Sequence, residues 1–397
     1  MVKVSPAKAS PVTVSPARKA LRGSTAVVGV GLSRFGDLGG RSHMEIMGEA
    51  VYHALADAGL GIHDVDGIFA SNFVDQLTPL VVAEYFGIKP DFMDGSNLGG
   101  SVFVNSLLSA SLALSHGLCN VALICYGSNS RSGGFTVPAH GRTIESVYQP
   151  RYPIQAYALA AARHMYQYGT TAEQLAEVAV AARQWAMLNP AAEYREPLTV
   201  AEVLAARRVV DPFGVRDCCL VSDGGGAMIM VRAERAGDFP NQPVYMLGVS
   251  SRTTHNVISE MPDLTVTAAA QSAPEAFAMA GVTPADIDVV ELYDAFTINT
   301  VLFLEDMGFC RKGEGGAFVS GGNIAPGGSL PVNTNGGGLS CVHPGMYGMF
   351  LMIEAVQQLR GECGARQIAG AELAACNGNG GYLSSQVTAV FGTAATL

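Results

Sequence analysis

No two of the chain's eight cysteines stand in a Cys-x-x-Cys pair. That absence removes the spacing on which zinc ribbons and dithiol redox motifs depend. The start of the sequence lacks the apolar stretch of a secretory leader, so the thiols read as free cysteines in a reducing cytoplasm. Charge is also scarce, at 15% of residues, and what there is sums to −10. No basic face is available for a nucleic acid. Hydrophobic residues reach 49%, which fits a compact enzyme with a large buried interior and excludes a disordered or fibrous chain. At 397 residues the chain is long enough for two domains or one large α/β unit.

One end departs from this acidic average. Residues 1–22 carry five basic residues and no acid, with a loose repeat of VSPAKA and VSPARKA. Residues 1–23 are therefore expected to form a disordered basic extension.

From Gly95 to Asn129 there is no formal charge at all. Serine, asparagine, His116 and Gly117 break the run, so it is not a membrane span. It divides into a helix near 101–116 and a strand near 120–126. A helix so apolar on every side must be buried on every side. A second clue is internal. ADAGLGIHDVDGI at 56–68 is similar to AMAGVTPADIDVV at 278–290, with matching residues 222 positions apart. Each copy reads as a helix, a glycine stop, a short turn and a strand, preceded by another strand and helix. Duplication follows, with halves at 24–235 and 243–397.

Each half also holds a glycine-rich turn directly ahead of an apolar helix. DGSNLGG precedes the first, and NTNGGGLSCVHPG precedes the second, MYGMFLMIEAVQQLRG at 346–361. Helix N-termini present free N–H groups, which suits stabilisation of an enolate or thioester oxygen.

Five motifs together resemble the thiolase superfamily, in its sterol-carrier and lipid-transfer branch. They are DCCLVSDGGGAMIM (217–230), VELYDAFT (290–297), LEDMGFCRKGEGGAFV (304–319), NTNGGGLSCVHPG (333–345) and CNGNGG (376–381), the last where the family has a cysteine in a glycine-rich turn. The resemblance spans 24–397. It implies a five-layer α-β-α-β-α fold of two duplicated halves, and a CoA thioester as substrate. Beyond coenzyme A as part of that substrate, it implies no bound cofactor and no metal. It also implies a homodimer, with the strand NVALICYG as the pairing edge, and a small zinc-ribbon/OB-fold partner subunit.

A thiolase needs a nucleophilic cysteine at the first of these turns. Here DGSNLGGS places Asn97 at that position, and asparagine cannot carry an acyl group. The resemblance to steroid side-chain aldolases fits this loss. Their retro-aldol cleavage of a β-hydroxyacyl-CoA needs an acid, a base and an oxyanion site but no acyl-enzyme. The catalytic candidates are Tyr293, His343, Cys376 and Asn97. Gly99, Gly100, Gly337, Gly338, Gly380 and Tyr347 are the candidates for holding substrate. The aldolases' second tyrosine falls here on Cys341 and Val342. Asp294 reads as a cap for the following helix, and Asp223 as a residue that holds a turn. The alternatives are a β-ketoacyl-CoA thiolase or acyltransferase, and a non-catalytic acyl-CoA or lipid-binding subunit.

Overall fold

A computed structural model describes residues 13–134 and 143–397. Nine strands form one large mixed sheet: β1 Thr25–Leu32, β2 Gly67–Ala70, β3 Phe92–Asp94, β4 Ala122–Ser128, β5 Gly224–Arg232, β6 Val244–Thr253, β7 Val289–Leu292, β8 Leu373–Gly380 and β9 Ser385–Gly392. Their order is β3-β2-β4-β5-β1-β6-β9-β8-β7. The sheet is two sheets in physical terms, because β1 and β6 join only through Ala26 with Tyr245 and Val27 with Val244.

The two parts share one topology. Parallel pairing joins β2 to β4 and β7 to β8, and antiparallel pairing joins β4 to β5 and β8 to β9. The position of β3 is taken in the second part by Val332, which bridges in parallel to Val290. The 222-residue offset recurs in the elements themselves. Helices α1 (His43–Ala58) and α6 (Ala269–Ala280) end at Gly59 and Gly281, both left-handed, with φ of 68° and 74°. Gly-capped ends suit a chain that must leave a helix and enter a strand within a few residues. A capping box starts α1, in which Ser42 and Glu45 exchange hydrogen bonds.

Helices α3 (Val102–Ser115) and α8 (Gly348–Arg360) touch strands of both parts and each other. Helix α1 covers β1, β4 and β5 from outside, while α6 covers β6 and β9. The layers are therefore α-β-α-β-α. Helix α2 (Thr78–Phe86) stands between β2 and β3 in the chain, α4 (Ile154–Tyr168) and α5 (Ala172–Met187) lie between α3 and α6, and α7 (Thr297–Asp306) follows β7. Among the described residues no helix is long and apolar enough to cross a membrane.

Two expectations need correction. NVALICYG does not form an edge: β4 lies between β2 and β5, and the edge on that side is β3. Its apolar, β-branched composition reflects burial on both faces, which an edge strand would not require. Nor is the whole of 1–23 a disordered extension. Residues 1–12 lie outside the described residues, but from residue 13 the chain is docked. Val14 and Leu21 are buried, Arg18 pairs with Glu275 on α6 at 2.9 Å, and Arg22 Nε donates to the Ala280 carbonyl at 2.8 Å. Arg18 and Arg22, read as part of a solvated run, instead bridge to the C-terminal part and cap the end of α6.

Candidate active site

The two glycine-rich turns meet where the central helices begin. A Cβ on Gly348 would lie 2.3 Å from the Gly100 carbonyl oxygen, so the N-termini of α3 and α8 are in direct backbone contact. Strand β7 delivers Tyr293 to this junction. Its main-chain N–H continues the sheet, donating to the Asn377 carbonyl at 3.1 Å. Its ring lies across Gly100, where a Cβ would stand 2.2 Å from Cε2 and 2.5 Å from the hydroxyl oxygen. Only glycine admits the ring there.

Tyr293 is buried. Its hydroxyl donates to the Gly345 carbonyl at 3.1 Å and accepts from the Tyr347 N–H at 3.2 Å. Burial pushes its acidity far below that of a free phenol, so it is a neutral donor at physiological pH. The ring of His343 stands edge-on to it, with centroids 5.5 Å apart, and stacks on Tyr347 at 5.9 Å. His343 retains some exposed surface, yet its Nε2 is buried and has no hydrogen-bond partner. Desolvation lowers its pKa to about 4, against which a bond to its own backbone works only weakly. The imidazole is therefore neutral at pH 7, with one ring nitrogen free for a ligand.

Asp294 does not cap the next helix. Phe296 occupies that cap position, without a side-chain bond, because the Asp294 carboxyl turns instead to the second glycine-rich turn. It accepts from Gly338 N–H at 2.6 Å and Leu339 N–H at 3.3 Å. A Cβ on Gly337 would fall 2.0 Å from Asp294 Oδ2, and one on Gly338 would meet both Asp294 and His343. These glycines are thus required by the carboxylate that grips them. Burial raises the Asp294 pKa to about 7. Residues Gly337–Cys341 form one π-helical turn, a geometry frequent at functional sites.

Of the remaining expected residues, Tyr347 touches both rings of this pair. Cys376 is not in a turn but inside β8, opposite Glu291, with its thiol donating to the Leu351 carbonyl at 3.5 Å. The apolar run before it pairs with β7 and draws it into the sheet, and the turn begins only at Gly381, with φ of 63°. Asn97 is exposed, and its side-chain oxygen accepts from Gly99 N–H at 3.1 Å, shaping its own loop. Gly99 and Gly380 let the 98–101 loop pass close to the end of β8: a Cβ on Gly380 would sit 1.7 Å from the Leu98 carbonyl oxygen. Tyr347 is fully buried between His343 and Phe350, its hydroxyl donating to Asn335 at 2.9 Å. It buttresses the histidine rather than lining open space. Asp223 does hold turns, accepting from the main-chain N–H groups of Leu38, Arg131 and Ser132.

Three contributors escaped the sequence reading. Segment 218–222 is a strap across the site: Cys219 N–H donates to Ala295, Leu220 N–H to Gly338 and Ser222 N–H to His343. Tyr126, at the end of β4, donates to the Pro344 carbonyl and accepts from Met346 N–H. Tyr157, on α4, donates to the Gly381 carbonyl at 3.0 Å and accepts from Asn379 at 2.7 Å. The motif around 217–230 was the one available signal for the strap, and nothing local marked the two tyrosines.

Burial raises the pKa of all eight thiols, and it outweighs the nearby cations Arg232 at Cys119, Lys312 at Cys310 and Arg366 at Cys341 and Cys363. The described residues hold no cluster of His, Cys, Asp and Glu suited to a metal.

Comparison with known proteins places the chain in a family. A family described as thiolase C-terminal domain-like matches residues 250–393. An acetyl-CoA acetyltransferase of Methanothermobacter thermautotrophicus is 33% identical over 380 residues, covering 92% of this chain and 98% of the relative. A steroid side-chain-cleaving aldolase of Thermomonospora curvata is 33% identical over 366 residues, covering 86% and 91%. The solved structure of an Ltp2–ChsH2(DUF35) aldolase superposes with a TM-score of 0.86 at 31% identity, covering 94% of this chain and 98% of that one. The chain belongs to the thiolase superfamily.

Proposed function

We propose that this protein cleaves the Cα–Cβ bond of a β-hydroxyacyl-CoA by a retro-aldol reaction, as an aldolase of the steroid side-chain type. The observation that carries it is the pairing of a neutral buried phenol, Tyr293, with a neutral imidazole whose Nε2 has no partner. The other half of the argument is chemical. An acyl-enzyme needs a thiolate, and every thiol here is held protonated.

In this reading His343 Nε2 takes the proton of the β-hydroxyl. The Cα–Cβ bond breaks, the β-carbon leaves as a ketone or aldehyde, and the electron pair passes to Cα and the thioester oxygen as an enolate. N–H groups at the turn junction stabilise that oxygen. Tyr293 gives its proton to Cα, exchanging the Gly345 carbonyl for the substrate, and regains a proton from the imidazolium. Tyr347 N–H supports the phenolate oxygen meanwhile. Product is a CoA ester shortened at Cα and a carbonyl compound. No group outside the chain and its substrate is consumed. The related aldolase structure contains ChsH2, and a partner subunit of that kind is proposed for this chain too. A homodimer is likewise proposed.

The test is a turnover assay on β-hydroxyacyl-CoA and β-ketoacyl-CoA esters, with and without one equivalent of iodoacetamide. Cleavage of the hydroxy ester should survive alkylation, and Tyr293→Phe should lower kcat by about 10²- to 10⁴-fold. Full inactivation through one modified cysteine would instead establish thiolase chemistry, and refute the proposal.

A further inference from the structure

Beneath the site lies a buried polar cluster that the proposed reaction does not use. Glu291 is on β7, two residues before Tyr293, and Glu354 is on α8; both are buried. Thr334, at the entry to the second glycine-rich turn, stands between them. Its hydroxyl oxygen is 2.9 Å from Glu291 Oε1 and 2.7 Å from Glu354 Oε1, and it accepts from Gln358 Nε2 at 3.0 Å. Thr334 N–H also donates to Glu291 Oε1, at 3.1 Å.

The protons can be counted. A threonine hydroxyl owns one proton, so it can donate to only one of two carboxylates. Glu354 is the anion of the pair, because the Arg366 guanidinium grips both its oxygens, at 2.9 and 3.0 Å. The hydroxyl proton therefore goes to Glu354. The contact to Glu291 then needs a proton from Glu291 itself, which must be a neutral acid. A second observation agrees: Glu291 Oε2 is buried without a partner. That is tolerable for the carbonyl oxygen of a neutral acid, and prohibitive for a full carboxylate. The titratable and charged groups facing Glu291 are Glu354, Asp294, Cys341, Tyr347, Cys363 and Cys376, with Arg366 already committed to Glu354. None supplies a positive charge to replace the proton.

We propose that Glu291 is a positioning residue: as a protonated acid bonded to Thr334, it pins the start of the turn that carries His343. The anchor is shared with Asn333, which donates to the Val290 carbonyl and accepts from Leu292 N–H at 2.6 Å. A charge on Glu291 would face Glu354 across Thr334 and push the turn away from β7. The catalytic consequence rests on the role proposed for His343; the state of the proton does not.

The experiment therefore has two arms. In the first, unfolding by guanidinium is followed at intervals from pH 5 to pH 8 for the wild-type chain and for Glu291→Gln. Glu291 keeps in the folded state a proton that the unfolded chain releases above its ordinary pKa. The wild-type unfolding constant should thus rise relative to the variant's by up to about tenfold per pH unit. A ratio independent of pH overturns the proposal. Should the variant fail to fold, the infrared carbonyl band of a protonated carboxylic acid in wild-type protein at pH 8 serves instead. Its absence is equally decisive. In the second arm, Glu291→Ala should lower kcat by about tenfold or more with little change in KM, and Glu291→Gln, which can still donate to Thr334, should restore most of it. Loss of activity in a stably folded Glu291→Gln would overturn the positioning role. If wild-type protein cleaves no β-hydroxyacyl-CoA, the functional assignment fails while the first arm still decides the proton.

Discussion

Gly100→Ala is the sharpest perturbation the site offers, because its effect is geometric and falls on Tyr293, the proposed proton donor. The added methyl would stand 2.2 Å from Tyr293 Cε2, against 3.4 Å for ordinary contact. The ring has to retreat by about 1.2 Å, since the Gly100 backbone is itself pressed against Gly348. A shift of that size breaks the hydroxyl's 3.1 Å bond to Gly345 and its 3.2 Å bond from Tyr347 N–H. Overpacking of a buried site costs about 1–3 kcal/mol in stability. Displacing a reacting group by roughly 1 Å costs about 10²-fold in rate. The assay pairs guanidinium unfolding with kcat on a β-hydroxyacyl-CoA. Gly237→Ala is the control: no atom lies within 4 Å of its Cβ position and its φ is not positive. That control should leave kcat unchanged. A Gly100→Ala protein that is stable and turns over at the wild-type rate would refute the claim that Tyr293 must stand over Gly100 to act.

Asp294→Asn should flatten part of the pH dependence of stability. The carboxyl's pKa of about 7 exceeds its ordinary 3.8, so between these values the folded chain holds a proton that the unfolded chain has lost. Stability then falls as pH rises through this window, by at most about 1.4 kcal/mol per unit, and asparagine removes that slope. Parallel unfolding curves for the two proteins at pH 4.5 and pH 7 would show the carboxyl to be ordinary. Removing residues 1–23 should destabilise the fold by about 3 kcal/mol, from the burial of Val14 and Leu21. Removing residues 1–12 alone keeps those contacts and serves as the comparison in the same melts.

Fold and site were legible in the sequence to different depths. The duplicated helix, glycine stop and strand could be read because a left-handed helix end and a buried strand leave local marks, at Gly59 and Gly281 and in the runs that follow them. Burial of the two central helices showed as well, through the missing charge around Val102–Ser115. Tyr293 and His343 stood out by their motifs, and the fold brings their rings to 5.5 Å. What stayed hidden depends on contacts far apart in the chain. Arg18 finds Glu275 257 residues away, and Tyr157 finds Gly381 224 residues away. Cys376 was misplaced for a related reason. A glycine-rich string reads as a turn, but here Asn377 through Gly380 remain paired with β9, and their glycines serve the close approach of the first turn.

That close approach explains how two similar turns came to do different work. In a duplicated fold both central helices begin at the same place, so each turn is part of the other's surroundings. The first turn supplies shape: Gly100 is the surface on which Tyr293 lies, and Asn97 spends its side chain on Gly99. In the proposed reaction the second supplies chemistry: it holds His343, tied to the strap at Ser222, to Asp294 at Gly338, and to Glu291 through Thr334. The absent thiol is matched by a site in which Tyr293 and His343 are neutral at pH 7 and Asp294 titrates near it, an environment suited to moving protons around a breaking C–C bond rather than to sustaining a thiolate.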